Sequence, residues 1–337
     1  MPFYFKLPLY TDMTPSQMSV LDETEPVAIT GGPGTGKSVV SLWRHIRNHS
    51  IGKRKSTMIT YTKTLEIYLA SCAAAENVNA GNSVTRIYQW GPGKGDHEII
   101  IDEAQDIEEH HHQRIRAAAQ VVSYGADDQQ ILYPDKASSQ QQLKTVFSGN
   151  QEYELDENFR NSYEIMCFTQ AALPQRRISA VMMRGLKANR STNIKPKCML
   201  VNSSNQQIET ILDIIEEFHS QTHNIGILVP LGRHVDELYE LLKLKNVKCT
   251  KYRSSTDELT HMENVHVTTY KSSKGIEFDT VILPDFQDWQ FNKVRYNITL
   301  KDNDYYVAFT RTKRNLFLIS TTSNLNIDQN TFDIEKV

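Results

Sequence analysis

The 337-residue sequence contains no apolar run approaching the roughly 18 residues that a membrane span needs, so membrane-embedded classes are excluded and no membrane partner is expected. Its opening, "MPFYFKLPLY", lacks the basic-then-apolar layout of a secretory signal, and the expected location is the cytoplasm. Only 4 cysteines occur, Cys72, Cys167, Cys198 and Cys249, and none stands at metal-ligand spacing. That argues against a disulfide scaffold or a zinc finger and for free, mostly buried thiols in a reducing compartment. Neither an internal repeat nor a low-complexity linker is present. A net charge of −3 offers no global attraction to nucleic acid, so any such binding must come from a local basic groove. The histidines of "HHH", His110 to His112, follow "EE" and read as a solvated helix face rather than a metal site.

What is present is an alternation of strand-length apolar runs with helical periodicity. "STMITYT", "HEIIIDEA" and "VVSYGADD" have strand length, and the pattern starts again after about residue 195 with "KCMLVN", "IGILVP", "VHVTTY", "DTVILP" and "RNLFLIS". In "NQQIETILDIIEEFHSQ" the residues Ile208, Ile211, Leu212, Ile215 and Phe218 recur at helical spacing and read as core. Such alternation predicts an α/β chain with parallel sheets covered by helices, in two domains, 1–150 and 151–337.

The stretch "ITGGPGTGKSVV" fits the phosphate-loop pattern G-x-x-x-x-G-K-[ST] and follows an apolar β-prone run. Gly31, Gly32, Pro33, Gly34, Thr35 and Gly36 would let backbone N–H groups converge on phosphates at a helix N-terminus. Lys37 would add a point charge, and the Ser38 hydroxyl would ligate Mg2+. Further on, "EIIIDEAQD" ends an apolar strand in adjacent carboxylates, which a parallel sheet places at its ligand-binding carboxyl edge. Asp102 is then a second metal ligand, and Glu103 the group that orients and deprotonates an attacking water.

These two stretches together resemble the superfamily 1 helicases of the UvrD, Rep and PcrA type, and further motifs follow in the same order from Gln17 to Leu318. The resemblance implies two RecA-like domains and ATP as the nucleotide. It implies that Gln17 in "MTPSQMSVL" reads adenine, that Gln129 in "GADDQQIL" senses the γ-phosphate, and that Arg160 in "LDENFRNS" is a phosphate-contacting finger. From "VHVTTYKSSKGIEFDTVILP" it implies Glu277 at the ribose and Gly275 on the phosphate side, and from "YVAFTRTKRNLFL" it makes Arg311 a second finger. Taken alone, each arginine reads as a surface salt bridge; within these strings guanidinium groups suit a transferring phosphoryl group, on which both lobes would have to close.

For the strand, the aligned positions are Tyr61, Thr62, Lys63, Thr85, Tyr88, Trp90 and Lys271, aromatic faces for bases and cations for phosphates. Tyr61, Tyr88 and Trp90 read equally well as core aromatics. The sequence departs from the family at several places: Ala126 replaces an acid, Leu132, Tyr133 and Pro134 stand where a base-stacking tryptophan is usual, Val39 replaces an arginine, Phe159 replaces a nucleotide-stacking tyrosine and Lys271 a histidine. There is also no room for the family's two inserted subdomains. The expectation is an ATP-hydrolysing translocase on single-stranded nucleic acid, DNA rather than RNA, with possible 3′ to 5′ unwinding. The alternative is an ATP-operated switch that controls a partner nuclease or effector in a DNA-repair or phage-defence assembly.

Overall fold

The computed structural model describes residues 3–50, 55–91, 97–131, 137–176, 178–189, 193–254, 257–296 and 300–337, with the side chain of Gln129 outside the described set. The chain divides into two compact units, Phe5–Phe159 and, joined by residues 3–4, Arg160–Val337. The division falls after β6, because that strand pairs along β1 and so belongs to the first sheet.

The first unit runs α1 (Pro15–Asp22), β1 (Val27–Gly31), α2 (Lys37–Ser50), β2 (Ser56–Thr60), α3 (Lys63–Glu76), α4 (Val78–Gly81), β3 (Val84–Arg86), β4 (Glu98–Ile101), α5 (Glu109–Ala118), β5 (Val122–Ala126), α6 (Gln140–Val146) and β6 (Gln151–Leu155). Its strands lie in the order β3-β2-β4-β5-β1-β6, and every pair is parallel. Strands buried on both faces read as continuous apolar runs, and β4 is the plainest case, with Ile99, Ile100 and Ile101 all buried.

The second unit runs α7 (Tyr163–Ala172), α8 (Ala180–Ala188), β7 (Lys197–Leu200), α9 (Ser204–Phe218), β8 (Ile225–Val229), α10 (Gly232–Leu244), β9 (Cys249–Tyr252), β10 (Val265–Thr269), β11 (Phe278–Leu283), α11 (Trp289–Arg295), α12 (Asp302–Thr310), β12 (Thr312–Ser320) and β13 (Asp333–Lys336). Its sheet, in the order β13-β7-β12-β11-β8-β10-β9, is again parallel throughout. The face of α9 behaves as its spacing dictates: Ile211, Ile214 and Ile215 are buried, with Ile208, Leu212 and Phe218 packed against the same cluster.

One feature of the first unit runs against pattern reading. Helix α2 buries a polar stripe, Lys37, Ser41, Arg44 and Asn48, at successive turns of one face. Arg44 and Asn48 donate to the buried carboxylate of Glu98 at 2.8 and 2.7 Å, and the Ser123 hydroxyl also donates to it. Arg44 further donates to the carbonyls of Glu23 and Glu25, at 2.7 and 2.9 Å. Helix α2, strands β4 and β5 and the α1–β1 turn are thereby tied at one buried ion pair. The histidines at 110–112 also differ from expectation: His112 is fully buried with Nε2 3.0 Å from the Ala104 carbonyl, His111 is 9% exposed, and His110 alone faces solvent. Helix α5 turns this edge inward because its apolar face, carrying Ile115, packs on the sheet.

Removing one partner of a buried ion pair strands the other charge, so Glu98→Ala is expected to destabilise the first unit by about 3–5 kcal/mol. The check is the urea midpoint followed through Trp43 and Trp90 fluorescence. Burial lowers the pKa of His45 and His112 to about 4 and of His266 to about 3. These rings stay neutral in the fold while the unfolded chain binds protons below its ordinary pKa of about 6.5. Stability is therefore fully present above pH 6.5 and falls between pH 6.5 and about 4, by on the order of 1 kcal/mol per pH unit for each ring. Thermal unfolding across that range should show the loss.

Candidate nucleotide site

All strands of the first unit are parallel, so the loops after β1, β2, β3, β4 and β5 emerge at one edge of the sheet. The phosphate loop leaves β1 at Gly31 and enters α2 at Lys37. Gly31 has φ +146°, and a Cβ there would stand 2.2 Å from the Leu155 carbonyl oxygen. At Gly36 (φ +89°) a Cβ would meet the Gln17 amide nitrogen at 2.4 Å. Neither position tolerates a side chain, which is the physical content of those two glycines.

Several groups hold the loop from outside. Gln17 closes a capping box with Thr14 at the start of α1 and donates Nε2–H to the Thr35 carbonyl at 3.1 Å. The amide of Gln17, expected at the adenine, is thus engaged with cap and loop. Thr35 Oγ1 donates to the Gly32 carbonyl at 2.9 Å, and the Phe159 N–H donates to the Gly34 carbonyl at 2.9 Å. The Phe159 ring, 57% exposed, therefore stands beside the phosphate loop where stacking was expected. Lys37 Nζ donates to the carbonyls of Gly31 and Gly32 at 2.7 and 2.8 Å, inside the concavity that phosphates would fill.

The two carboxylates after β4 adjoin this loop. Ser38 Oγ donates to Asp102 Oδ1 at 3.0 Å, so both expected metal ligands are neighbours. Glu103 adopts the left-handed conformation, φ 55° and ψ 45°, at a cost of about 1–2 kcal/mol for an L-residue. That turn sends successive acids in different directions.

The structure adds three residues that sequence reading missed. Gln105 donates Nε2–H to Glu103 Oε2 at 2.5 Å and accepts the Asp127 N–H at 3.1 Å. Asp127 Oδ2 lies 3.9 Å from Lys37 Nζ and accepts the Gln130 amide at 2.7 Å. An acid therefore stands beside Lys37 one residue after Ala126, and Gln130, 2% exposed, is bonded to it. The signal lay in "GADDQQIL", whose repeated acids and glutamines permit two registers. The Gln129 side chain lies outside the described residues, as do Leu132, Tyr133 and Pro134.

At the same edge, after β2 and β3, Tyr61 and Tyr88 pack with ring centroids 5.8 Å apart and hydroxyls 3.4 Å apart, and Tyr88 is 56% exposed. Thr62 accepts the Leu65 N–H as the cap of α3, Lys63 pairs with Glu66 at 2.8 Å, and Thr85 is half-buried in β3. Trp90 takes the core alternative and not the strand surface: it is 5% exposed in the core cluster, with the Arg114 guanidinium 5.3 Å over its ring. The turn after β3 folds its indole inward, which removes it from any strand surface.

In the second unit, Arg160 and Glu277, expected as separate nucleotide contacts, are partners: Arg160 Nε donates to Glu277 Oε1 at 2.7 Å, and Nη2 reaches the same oxygen. Burial would raise the Glu277 pKa, but Arg160 and Lys313 outweigh it and hold the carboxyl well below the usual range. Arg311, 1% exposed at the end of α12, places Nε 3.3 Å from the Val307 carbonyl and Nη1 3.5 Å from that of Ile276. Gly275, at φ 84°, turns the chain just before Ile276. Lys271 stands at the opposite edge of the sheet, after β10, with Nζ 3.9 Å from Asp304, whose pKa burial pushes up to about 6 although Lys271 opposes it.

The sequence profile described as the Schlafen group 3 DNA/RNA helicase domain matches residues 25–194, half of the chain. The chain belongs to this helicase-domain family. Over residues 236–323 it also matches the UvrD-like helicase C-terminal domain, in agreement with the superfamily 1 motif order. A protein of Acanthamoeba polyphaga mimivirus, provisionally named an ATP-dependent DNA helicase, is 25% identical over 249 residues, 67% of this chain and 34% of the relative. This helicase domain thus spans about a third of the length of that relative. Among solved structures, S. cerevisiae Dbp5 bound to RNA and ADP BeF3 aligns with TM-score 0.56 and 12% identity over 97% of this chain and 90% of that one. The DEAD-box helicase Mss116 bound to ssRNA and UDP-BeF aligns with TM-score 0.53 and 13% identity, over 96% and 75%. These likenesses show the fold, two RecA-like domains. No helix among the described residues is long and apolar enough to cross a membrane.

Gln105 bridges Glu103 and the Asp127–Gln130 pair, so Gln105→Ala is expected to remove one orienting contact from the Glu103 carboxylate. Nucleotide hydrolysis should slow by about tenfold or more, the scale of a lost orienting contact, with nucleotide affinity within about twofold of the parent. Single-turnover rates beside equilibrium nucleotide binding check the split.

Proposed function

We propose that this helicase domain hydrolyses ATP and couples hydrolysis to movement on single-stranded nucleic acid, DNA in the first instance. The observation that supports this most is the grouping of Lys37, Ser38, Asp102 and Glu103 at one sheet edge, with Gln105 linking Glu103 to Asp127 beside Lys37. Ser38 Oγ and Asp102 Oδ1 are hard oxygen donors 3.0 Å apart, a set that suits Mg2+, and bound there the ion would neutralise phosphate charge. In this reading Lys37 exchanges its loop carbonyls for phosphate oxygens, while Glu103 orients and deprotonates the attacking water. Gln130, through Asp127, reports the γ-phosphate; Arg160 and Arg311 supply positive charge to the transferring phosphoryl group.

The exposed Tyr88 with Tyr61, and the cations Lys63 and Lys271, are read as strand contacts, bases stacking on rings and phosphates meeting ammonium groups. Thr62 and Thr85 would contribute hydroxyls at the same edge. A 3′ to 5′ direction follows from the superfamily 1 resemblance alone.

The test is the steady-state ATPase rate of the pure chain, alone and with single-stranded DNA, single-stranded RNA and duplex DNA. Stimulation by one strand type supports the motor and names its track. A low rate unmoved by any nucleic acid overturns coupling to a strand and favours an ATP-operated switch on a nuclease or effector. Lys37→Ala should abolish turnover through lost nucleotide binding. Glu103→Gln should keep nucleotide affinity while lowering the rate by at least about a hundredfold, the range of a removed general base. Normal turnover in Glu103→Gln removes that residue from the mechanism.

A further inference from the structure

Helix α5 opens on "EEHHH", and the structure gathers part of it into a compact donor cluster. His110 Nδ1 lies 3.3 Å from Glu108 Oε2, and the His110 and His111 rings have centroids 4.0 Å apart. One ligand atom from each of Glu108, His110 and His111 falls within 4.8 Å of the other two. A tetrahedral ion with bonds near 2.0–2.1 Å sets its ligand atoms about 3.4 Å apart, so the Glu108–His110 pair already has the span of one tetrahedral edge.

His111 supplies a second and independent observation. It is 9% exposed, and its Nδ1 is buried without a hydrogen-bond partner, a state that buried polar groups rarely keep. The cation facing the cluster, Arg114, is committed elsewhere: it donates to the Trp90 carbonyl at 2.9 Å and covers that ring. Glu108 caps the helix without using its side chain in the cap, and it brings the anionic charge that two neutral imidazoles lack.

We propose that Glu108, His110 and His111 form a zinc-binding site, two imidazole nitrogens and one carboxylate oxygen with water in the fourth position. Two nitrogens and an oxygen suit Zn2+, whereas the all-oxygen pair Ser38 and Asp102 suits Mg2+. The ion clamps the first turn of α5 and fixes the His111 ring, against whose face Tyr88 stands edge-on at 5.5 Å. The proposal is independent of whether the chain hydrolyses ATP.

The experiment titrates Zn2+ alone into the EDTA-stripped full chain, in competition with a chromophoric chelator, and records X-ray absorption of the loaded protein at the zinc edge. One ion per chain is expected, with nitrogen and oxygen in the first shell and the scattering of two imidazoles. His110→Ala and Glu108→Gln, whose side chains reach solvent, should each weaken binding by about tenfold or more while leaving the unfolding midpoint of the metal-free protein unchanged. Unchanged affinity in both variants overturns the site, as does sulfur in the first shell, which would point to the cysteines. Zinc lost in Asp102→Asn but kept in His110→Ala overturns it as well, and so does the absence of binding at micromolar zinc.

Discussion

The buried contact between Arg44 and Glu98 is the constraint on which the first unit's site depends. Glu98 begins β4, whose other end delivers Asp102 and Glu103; Arg44 lies two turns along the helix whose first residues are Lys37 and Ser38. A charge pair 2.8 Å long therefore sets the register of helix against strand, and the Ser38–Asp102 hydrogen bond follows from it. An apolar pairing would slide with little penalty. A buried ion pair with every oxygen and nitrogen directed has essentially one arrangement, and the accessory donors Asn48 and Ser123 extend that direction to the adjoining strand. Gly125 in β5 lies under the same face, with Asp102, Lys37 and Ser41 3.6–3.7 Å from where its Cβ would be, ordinary packing distance.

Much of this was legible in the sequence, because the parallel sheets and the phosphate loop are local patterns with strong physical causes. Strand-length runs such as "EIIID" and "IGILV" have little alternative once helices cover both faces, and all of the second-half runs form strands of one parallel sheet. What was hidden is polar and non-local. The stripe Lys37, Ser41, Arg44 and Asn48 is polar yet buried, and the carboxylate that Arg44 and Asn48 meet comes from Glu98, far along the chain. Trp90 was undecidable for the same reason: Arg114 and the cluster that encloses it belong to another helix. In "ADDQQ" nothing local marks that Asp127 will lie beside Lys37 or that Gln130 will donate to Asp127, since these contacts depend on how β5 lies against the phosphate loop.

One strained backbone position stands where the chemistry is proposed. Glu103 is one of four non-glycine residues with positive φ among those described, and like Asp285 it accepts a charge-assisted hydrogen bond from a buried glutamine. A relaxed turn there would carry Glu103 away from Asp102's neighbourhood without disturbing β4. The two adjacent acids thus make different contacts, Asp102 with Ser38 and Glu103 with Gln105, which in turn accepts the Asp127 N–H. Residues of this kind contact no substrate, yet they determine which way a reactive oxygen points.

The second unit has its own problem of transmission. Lys271 lies at the carboxyl edge of its sheet, whereas Glu277, Arg160 and Arg311 lie at the amino edge, because β10 ends before the former and β11 and β12 begin beside the latter. The chain crosses between these edges in the single segment 270–277, and α12 runs alongside it in the same sense. Asp304 near the start of α12 faces Lys271, the Tyr305 ring lies 5.2 Å from that of Tyr270, and Arg311 at the end places Nη1 3.5 Å from the carbonyl of Ile276. Segment and helix are thus joined near both ends. A strand phosphate that draws Lys271 away from Asp304 would load one end of this strut, and a phosphoryl group that engages Arg311 would load the other. Packed elements of this kind shift as a body rather than deform, so a short crossover braced by one helix is sufficient physical means for the two edges to sense each other.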